Sequence, residues 1–265
     1  MISGMETYRA SDGAELAFRD EGPRGVGLPL LFVHGWQADG SVWEPIVSRL
    51  RERHRVITVD LRGAGSSSAA PGPYVIDKFA NDLTELIPAL DLDPVVVIGH
   101  SMGGAIAQRF AIDNPEAVEA LILIAPVPAS GMPFTPKVLD FLRSTAGNAD
   151  QTALWFKQLT FSEPTPKIAK LLRDAAAGVS AEVALESFES WHGAAFADEA
   201  ATIETPTLIL APSHDRPMTP ELAREKVGDV ISGSRFEVLD ETGHYAPVER
   251  PELIARRIEA CLDEL

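Results

Sequence analysis

The chain has 265 residues, of which 45% are hydrophobic and 23% charged. This is a globular composition, and the length leaves room for one large α/β domain or for a domain with a small insertion. Its formal net charge of −16 argues against a nucleic-acid partner and against binding to an anionic membrane, because both need clustered Lys and Arg. The chain has one cysteine, and its sequence shows no signal-peptide pattern in Met1 to Arg19 and no membrane-spanning segment. We therefore expect a cytoplasmic protein.

Short β-rich runs alternate with helical patterns along the first half of the chain, which is typical of a parallel sheet covered by helices. Strands are predicted at 28–33, 55–61, 94–98 and 118–124, and helices at 43–53, 76–90 and 102–114. The run from Pro94 to Ile98 is apolar on both sides, so it suits the middle of a sheet that is covered on both faces.

The alternation stops near Pro126 and resumes with a strand at 205–211, a helix at 220–230, a strand at 235–239 and a helix after Pro251. Between them, residues 128–197 show helical patterns and carry eight of the chain's eighteen aromatic residues. We therefore predict a core domain of residues 1–127 and 198–265 with a helical cap, residues 128–197, inserted into it.

A Gly-x-Ser-x-Gly sequence, Gly99-His-Ser-Met-Gly103, lies directly after a predicted buried strand and directly before a predicted helix. A sharp strand-to-helix turn exposes the hydroxyl of Ser101 above the sheet, and side chains two residues before and after it would collide. The helix N-terminus also offers unpaired N–H groups to an oxyanion. The pattern predicts a nucleophile at Ser101; the alternative is a glycine-rich packing turn.

A serine needs a base to take its proton, and His244 is the favoured one of six histidines. It follows the last predicted strand, at the sheet edge where functional loops converge. Asp215 follows the preceding strand and completes the chain order Ser, Asp, His. The alternatives are a surface histidine and an acid at a helix N-terminus.

In this order, His34-Gly-Trp36, Gly99-His-Ser-Met-Gly-Gly104, Asp215 and Gly243-His244 resemble the α/β-hydrolase superfamily, in its esterase, lactonase and cofactor-free haloperoxidase-like branch with a helical cap. The resemblance covers nearly the whole chain. It implies an α/β fold with a mostly parallel eight-stranded sheet flanked by helices. It also implies an oxyanion hole made by the backbone N–H groups of Trp36 and Met102.

The sequence differs from other members of the superfamily at several motif positions, and these differences narrow the range of expected reactions. Haloalkane dehalogenases and epoxide hydrolases of this fold place Asp where Ser101 stands. Carbon–carbon hydrolases carry small residues where Trp36 and Gln37 stand, and lipases have a glycine-rich oxyanion loop. No His-Glu-x-x-His or cysteine cluster predicts a metal, and Arg62 to Ser68 lacks the third glycine of a dinucleotide loop, so we expect no metal and no cofactor.

The sequence thus predicts a hydrolase that cleaves an ester or lactone of a small, moderately apolar molecule through an acyl-enzyme on Ser101. Perhydrolysis with haloperoxidase side activity, C–C cleavage by the same triad, and a small-molecule receptor with a retained triad stay open. Most cap aromatics pack the cap onto the core, and a minority line the pocket. The oligomeric state is open, with a homodimer as one option. The pocket candidates are Trp155, Phe156, Phe188, Trp191 and Tyr245.

Overall fold

The computed structural model describes residues 4–265; the first three residues of the stretch inspected for a signal peptide lie outside the described residues. Its strands are β1 Glu6–Arg9, β2 Glu15–Glu21, β3 Leu30–Val33, β4 Val56–Val59, β5 Val95–His100, β6 Val118–Ile124, β7 Thr207–Pro212 and β8 Arg235–Leu239. Its α-helices are α1 Glu44–Leu50, α2 Ile76–Leu90, α3 Met102–Asp113, α4 Pro136–Thr145, α5 Ala149–Gln158, α6 Pro166–Ala177, α7 Ala181–His192, α8 Ala197–Ala200, α9 Pro220–Ala223, α10 Ala246–Glu249 and α11 Pro251–Leu262.

All eight strands belong to one sheet, in the order β1-β2-β4-β3-β5-β6-β7-β8. The pairs β1–β2 and β2–β4 are antiparallel, and every other neighbouring pair is parallel. The predicted eight-stranded, mostly parallel sheet is therefore confirmed. Its parallel strands end at one edge, where the loops that follow β3, β5, β7 and β8 meet.

The sequence pattern predicts no strand before Leu28, so β1 and β2 were missed. The reason lies in β2, which buries the acidic residues Asp20 and Glu21 beside its apolar ones and so hides the pattern of a strand. Asp20 is accepted in the interior because the guanidinium of Arg55 lies 2.8 Å from its carboxylate.

The two faces of the sheet each carry a hydrophobic core. Along β5, Val95 and Val97 pack on one face, in a cluster with residues of α2 and α3. Val96 and Ile98 pack on the other face, with residues of α1 and α11. Since successive side chains of a strand point to opposite faces, a strand buried on both sides needs a continuous apolar run, which residues 95–98 of β5 supply.

The helix predicted at 220–230 is divided. The α-helix α9 covers only Pro220–Ala223, and a wider π-turn follows at Arg224–Gly228, where Asp229 N–H donates to the carbonyl of Arg224 at 2.7 Å. The guanidinium of Arg224 lies over the ring of Phe236 in β8, 4.1 Å from its centroid. The turn therefore packs onto β8, the outermost strand of the sheet, through a cation–π contact.

Residues 128–197 contain the four helices α4 to α7 and, among the described residues, no strand. We call α4 to α7 the cap helices. Their division from the core as a separate domain stays a prediction. Within residues 4–265, no helix is long and apolar enough to cross a bilayer.

A buried network of ion pairs between side chains connects the loop after β4 to α2. The side chain of Arg62 is fully buried, and it donates two hydrogen bonds to the carboxylate of Asp82, at 2.9 and 2.7 Å. Lys78 and the half-exposed Asp12 extend the network. Because a buried guanidinium without its counter-charge is costly, this loop depends on Asp82.

We expect Asp82→Asn to lower the free energy of unfolding by about 3 kcal/mol, because it leaves Arg62 buried with only the partly exposed Asp12 as a full counter-charge. Urea unfolding measures the loss. The matched control is Asp174→Asn, which breaks an exposed pair with Lys170 on α6 and is expected to cost less than about 0.5 kcal/mol. Equal losses in the two variants would contradict this assignment.

Candidate active site

Ser101 is the one residue between β5, which ends at His100, and α3, which begins at Met102. Its φ of 55° and ψ of −121° place it in a backbone conformation that residues other than glycine rarely adopt. A Cβ added at Gly99 would lie 2.4 Å from the carbonyl oxygen of Gly103, and one added at Gly103 would lie 2.2 Å from that of Val33. The glycines on both sides of Ser101 are therefore required by contact with backbone, as the sequence predicts.

Backbone hydrogen bonds hold this strained turn. The N–H of Ser101 donates to the carbonyl of Ile124 at 3.1 Å, and its own carbonyl accepts from Gly104 at 2.8 Å and Val127 at 2.9 Å. These bonds join the turn to the end of β6 and to the segment that follows it. The surrounding structure thus fixes a residue whose own conformation is unfavourable.

The structure brings together the three residues proposed as a triad. His244 Nε2 lies 3.0 Å from Ser101 Oγ, and His244 Nδ1 lies 2.6 Å from Asp215 Oδ2. The second carboxylate oxygen of Asp215 accepts from the backbone N–H of Met218 at 3.0 Å. Since a carboxylate only accepts, Nδ1 carries the proton of the neutral ring, and Nε2 is left free to accept the proton of the serine hydroxyl.

The histidine loop is held by backbone groups and by a carboxylate that the sequence analysis did not single out. His244 N–H donates to the carbonyl of Leu159 at 2.8 Å, directly after α5. The carboxylate of Glu249 accepts from the N–H of Phe161 at 2.7 Å and of Gly243 at 3.3 Å, and burial raises the pKa of Glu249 above its usual value. The end of α5 therefore braces the loop that carries His244. The bond to Leu159 leaves no sequence signal, because it uses a backbone carbonyl.

Two further histidines of the site are buried and structural. Burial, with the neighbouring His244, lowers the pKa of His100 to about 3, and Nε2 of His100 donates to the carbonyl of His244 at 2.8 Å. Burial also lowers the pKa of His34. Its Nε2 accepts from Leu61 N–H at 3.0 Å, so its Nδ1 carries the proton and donates to the carbonyl of Gly35 at 2.9 Å. Both rings thus hold loops as neutral imidazoles.

The backbone N–H groups of Trp36 and Met102 donate no hydrogen bond to any atom of residues 4–265. Met102 is the first residue of α3, where the helix dipole adds partial positive charge. The loop that carries Trp36 packs against the serine, since a Cβ added at Gly35 would lie 3.1 Å from the Cβ of Ser101. Two unused donors therefore flank Ser101, which is the arrangement that an oxyanion hole needs.

Ser101 and His244 open into a cavity of about 50 Å³ between the sheet edge and the cap helices. Four of the five predicted pocket residues line it, namely Trp155, Phe156, Trp191 and Tyr245. Further residues line the cavity that were not predicted as pocket walls, namely Trp36, Ala125, Val127, Met132, Phe134, Leu142, Leu159, Pro217 and Met218.

Phe188, contrary to the prediction, does not line the cavity. It is fully buried one layer behind the wall, with its ring centroid 5.4 Å from that of Trp36 and 5.0 Å from that of Trp191. Both positions lie on the inner face of α7, and helical spacing alone does not say which aromatic ring reaches the cavity first. Phe188 therefore supports the wall rather than forming it.

Within the described part of the chain, no Asp, Glu, Lys or Arg side chain lines the cavity. The phenol of Tyr245 stays un-ionised, because burial and the nearby charge of Asp215 raise the pKa of Tyr245 well above its usual value. Apart from its tryptophans, the polar side chains that line this apolar chamber are those of Ser101, His244 and Tyr245.

Comparisons with known proteins agree with this fold. A family model described as alpha/beta hydrolase fold matches residues 29–251. A putative non-heme chloroperoxidase of Synechocystis sp. is 30% identical over 240 residues, which cover 81% of this chain and 84% of the relative. A pimeloyl-[acyl-carrier protein] methyl ester esterase of Aeromonas hydrophila is 28% identical over 260 residues, covering 89% of this chain and 95% of the relative. The solved structure of an esterase from Exiguobacterium antarcticum has a TM-score of 0.88 and 25% identity, covering 97% of this chain and 98% of that chain.

The buried His100 generates a prediction about acid stability. An unfolded chain protonates this ring below its usual pKa of 6.5, whereas the folded protein does so only near 3. Its contribution to stability is therefore complete above pH 6.5 and is lost as the pH falls toward 3. We expect His100→Gln, which keeps a donor near the position of Nε2, to reduce the loss in free energy of unfolding between about pH 7 and about pH 5 by about 2 kcal/mol.

Urea unfolding at the two pH values measures this change. The control is His214→Gln, which replaces an exposed histidine. An unchanged slope in His100→Gln would show that the ring is already protonated, or solvated, in the folded protein.

Proposed function

The chain belongs to the α/β-hydrolase family, and we propose that it is a serine hydrolase that cleaves a carboxylic ester or lactone of a small, apolar, uncharged molecule through an acyl-enzyme on Ser101. The observation that carries the proposal is the continuous chain of contacts from Asp215 through His244 to Ser101, at 2.6 and 3.0 Å, opening into an apolar cavity. Hydroxyl, imidazole and carboxylate at these distances are what nucleophilic attack on a carbonyl needs.

In the first step, Ser101 Oγ attacks the carbonyl carbon and its proton moves to His244 Nε2. The carbonyl oxygen becomes an oxyanion that accepts from the N–H groups of Trp36 and Met102, while Asp215 stabilises the imidazolium. The bond to the leaving oxygen then breaks, and His244 gives that oxygen its proton. An alcohol leaves; in a lactone, the alcohol stays attached to the acyl group.

In the second step, a water molecule gives a proton to His244 Nε2 and attacks the acyl carbon. The tetrahedral intermediate collapses, Ser101 Oγ takes the proton back, and a carboxylic acid is released. Both steps use the same two donors, and losing one such donor typically costs about 3 kcal/mol of transition-state stabilisation. The positions of the Trp36 and Met102 N–H groups therefore matter as much as the triad.

The size and the apolar lining of the cavity support a particular class of substrate. The cavity is small, at about 50 Å³, so its size limits the acyl group that can lie between Ser101 and the cap helices. The walls are apolar and bear no charged side chain. An acyl group with a charge would lose its hydration there without finding a partner. Short, uncharged acyl groups are thus the class that fits.

A second candidate reaction is perhydrolysis, in which hydrogen peroxide takes the place of water in the second step and releases a peracid. It is favoured by the similarity to the Synechocystis protein called a putative non-heme chloroperoxidase. The two reactions share the acyl-enzyme and differ only in its acceptor. Peracid formation from an ester in added peroxide, measured against acid formation in water, separates them.

We expect Ser101→Ala to lower kcat/KM for a p-nitrophenyl ester by at least about 10⁴-fold, because the attacking oxygen is gone. Circular dichroism and the urea midpoint should stay near those of the unmodified protein. Ser48→Ala, which removes an exposed hydroxyl on α1, is the matched control and should keep full activity. Normal turnover by Ser101→Ala would remove Ser101 from the mechanism.

The cavity volume predicts a limit on acyl length. Along a series of p-nitrophenyl esters, we expect kcat/KM to be highest between acetyl and butanoyl and to fall by about 10-fold or more at octanoyl, because extra methylenes overfill the chamber. A parallel series of lactones with growing ring substituents tests the lactone alternative. A steady rise of kcat/KM toward octanoyl would show that the acyl group lies outside this cavity.

A further inference from the structure

We propose that Gln37 is a positioning residue for the oxyanion donor Trp36, and that Thr145 and Thr152 of the cap helices hold Gln37 in place. The inference rests on the proposed function, because it concerns the Trp36 N–H that stabilises the oxyanion. It assigns part of the reaction geometry to the cap. The observation behind it is a buried polar cluster next to an otherwise apolar cavity.

The cluster consists of one amide and two hydroxyl groups. Gln37 Nε2 donates to Thr145 Oγ1 at 3.1 Å. The hydroxyl of Thr152 lies 3.1 Å from both Gln37 Oε1 and the carbonyl oxygen of Thr145, and these two acceptors share its proton. Thr145 and Thr152 are fully buried, and Gln37 is 3% exposed. Thr145 Oγ1 uses its own proton on the carbonyl of Leu142 at 2.7 Å, so a lone pair remains for the amide of Gln37.

Such a cluster is costly unless each group is bonded, and an apolar side chain would fill the same space without that cost. The bonds are directional, however, and an apolar contact is not. Hydrogen bonds from both ends of the Gln37 amide fix its plane, and with it the backbone to which it is attached. The cluster therefore serves position rather than net stability.

The backbone at Gln37 needs this support. Its φ of 50° lies in the left-handed region, which costs a residue with a side chain free energy unless its surroundings impose it. Trp36, one residue before, is tied to a different cap helix, because its indole Nε1 donates to the carbonyl of Ala184 in α7 at 2.8 Å. The cap helices thus form hydrogen bonds with two adjacent residues of the loop after β3. Trp36 is bonded to α7, and Gln37 is bonded to α4 and α5.

A donor that shifts by a fraction of an ångström still permits substrate binding but loses its bond to the oxyanion, which forms only in the transition state. Loss of the cluster should therefore lower kcat and leave KM nearly unchanged. A side chain that merely filled space would change stability without this selective effect on kcat. The split between kcat and KM separates the two roles.

The experiment uses four variants of the full chain. Gln37→Met keeps the length of the side chain and removes its amide, and Thr152→Val keeps the shape of the side chain and removes its hydroxyl. Thr152→Ser restores that hydroxyl. Gln151→Met, an exposed position on the same helix α5, is the matched control. Each variant is assayed with p-nitrophenyl butyrate.

For Gln37→Met and Thr152→Val, we expect kcat to fall by about 10- to 100-fold with KM within about 2-fold of the unmodified protein. The affinity for butylboronic acid, whose serine adduct carries the tetrahedral charge, should fall in step with kcat. Thr152→Ser should recover most of kcat, and Gln151→Met should keep it. Unchanged kcat in both deletion variants, or a rise in KM alone, would overturn the proposal.

A second measurement makes the proposal testable apart from ester turnover. The order parameter of the Trp36 backbone N–H, from ¹⁵N relaxation, should fall from about 0.85 toward about 0.6 in Gln37→Met and Thr152→Val and stay high in Thr152→Ser. If the unmodified protein hydrolyses no ester, the proposed function fails, and this order parameter still decides whether Gln37 fixes the loop. A rigid Trp36 N–H in both deletion variants would overturn the positioning role.

Discussion

The whole arrangement depends on one strained residue, Ser101, which joins the central strand β5 to α3 with no loop between them. A backbone conformation of this kind costs of order 1–3 kcal/mol, and a small protein domain has only about 5–15 kcal/mol of net stability. This cost is offset because β5 is buried on both faces and because backbone hydrogen bonds hold Ser101 in place. The result is a hydroxyl held above the sheet edge, beside the first free N–H of a helix. Histidine, acid and oxyanion donor matter only because that hydroxyl is there.

The cap helices are part of the site and not only a cover over it. The carbonyl of Leu159, directly after α5, accepts a hydrogen bond from the N–H of His244. The carboxylate of Glu249 accepts one from the next segment of the chain, at Phe161. The start of α5 and the end of α4 hold Gln37, while α7 holds the indole of Trp36. A single helix, α5, thus touches both the loop of the base and the loop of the oxyanion donor. Closing an apolar chamber over these groups also excludes water and strengthens their electrostatic interactions.

The sequence predicts the parts of this molecule that follow from local spacing. The glycines around Ser101 mark the turn, and the alternation of strands and helices orders the loops that carry Asp215 and His244. Contacts made by backbone atoms or by residues far apart in sequence leave no such pattern. Leu159 and Glu249 are in this class. So is Phe188, whose place behind Trp36 depends on how α7 rotates against the core. The antiparallel pair β1–β2 was missed because Arg55, which neutralises Asp20, is far from it in sequence and lies just before β4.

The central claim is that Ser101 carries the acyl group between two half-reactions. It is tested most directly by mixing the unmodified protein with excess p-nitrophenyl acetate, stopping the reaction with acid within milliseconds, and mapping the acetyl group by peptide mass spectrometry. We expect one acetyl group per chain, on the peptide 99–104 and at Ser101, appearing with a burst of nitrophenol of the same size. Steady hydrolysis with no acetylated peptide, or with the acetyl group on another residue, would contradict it.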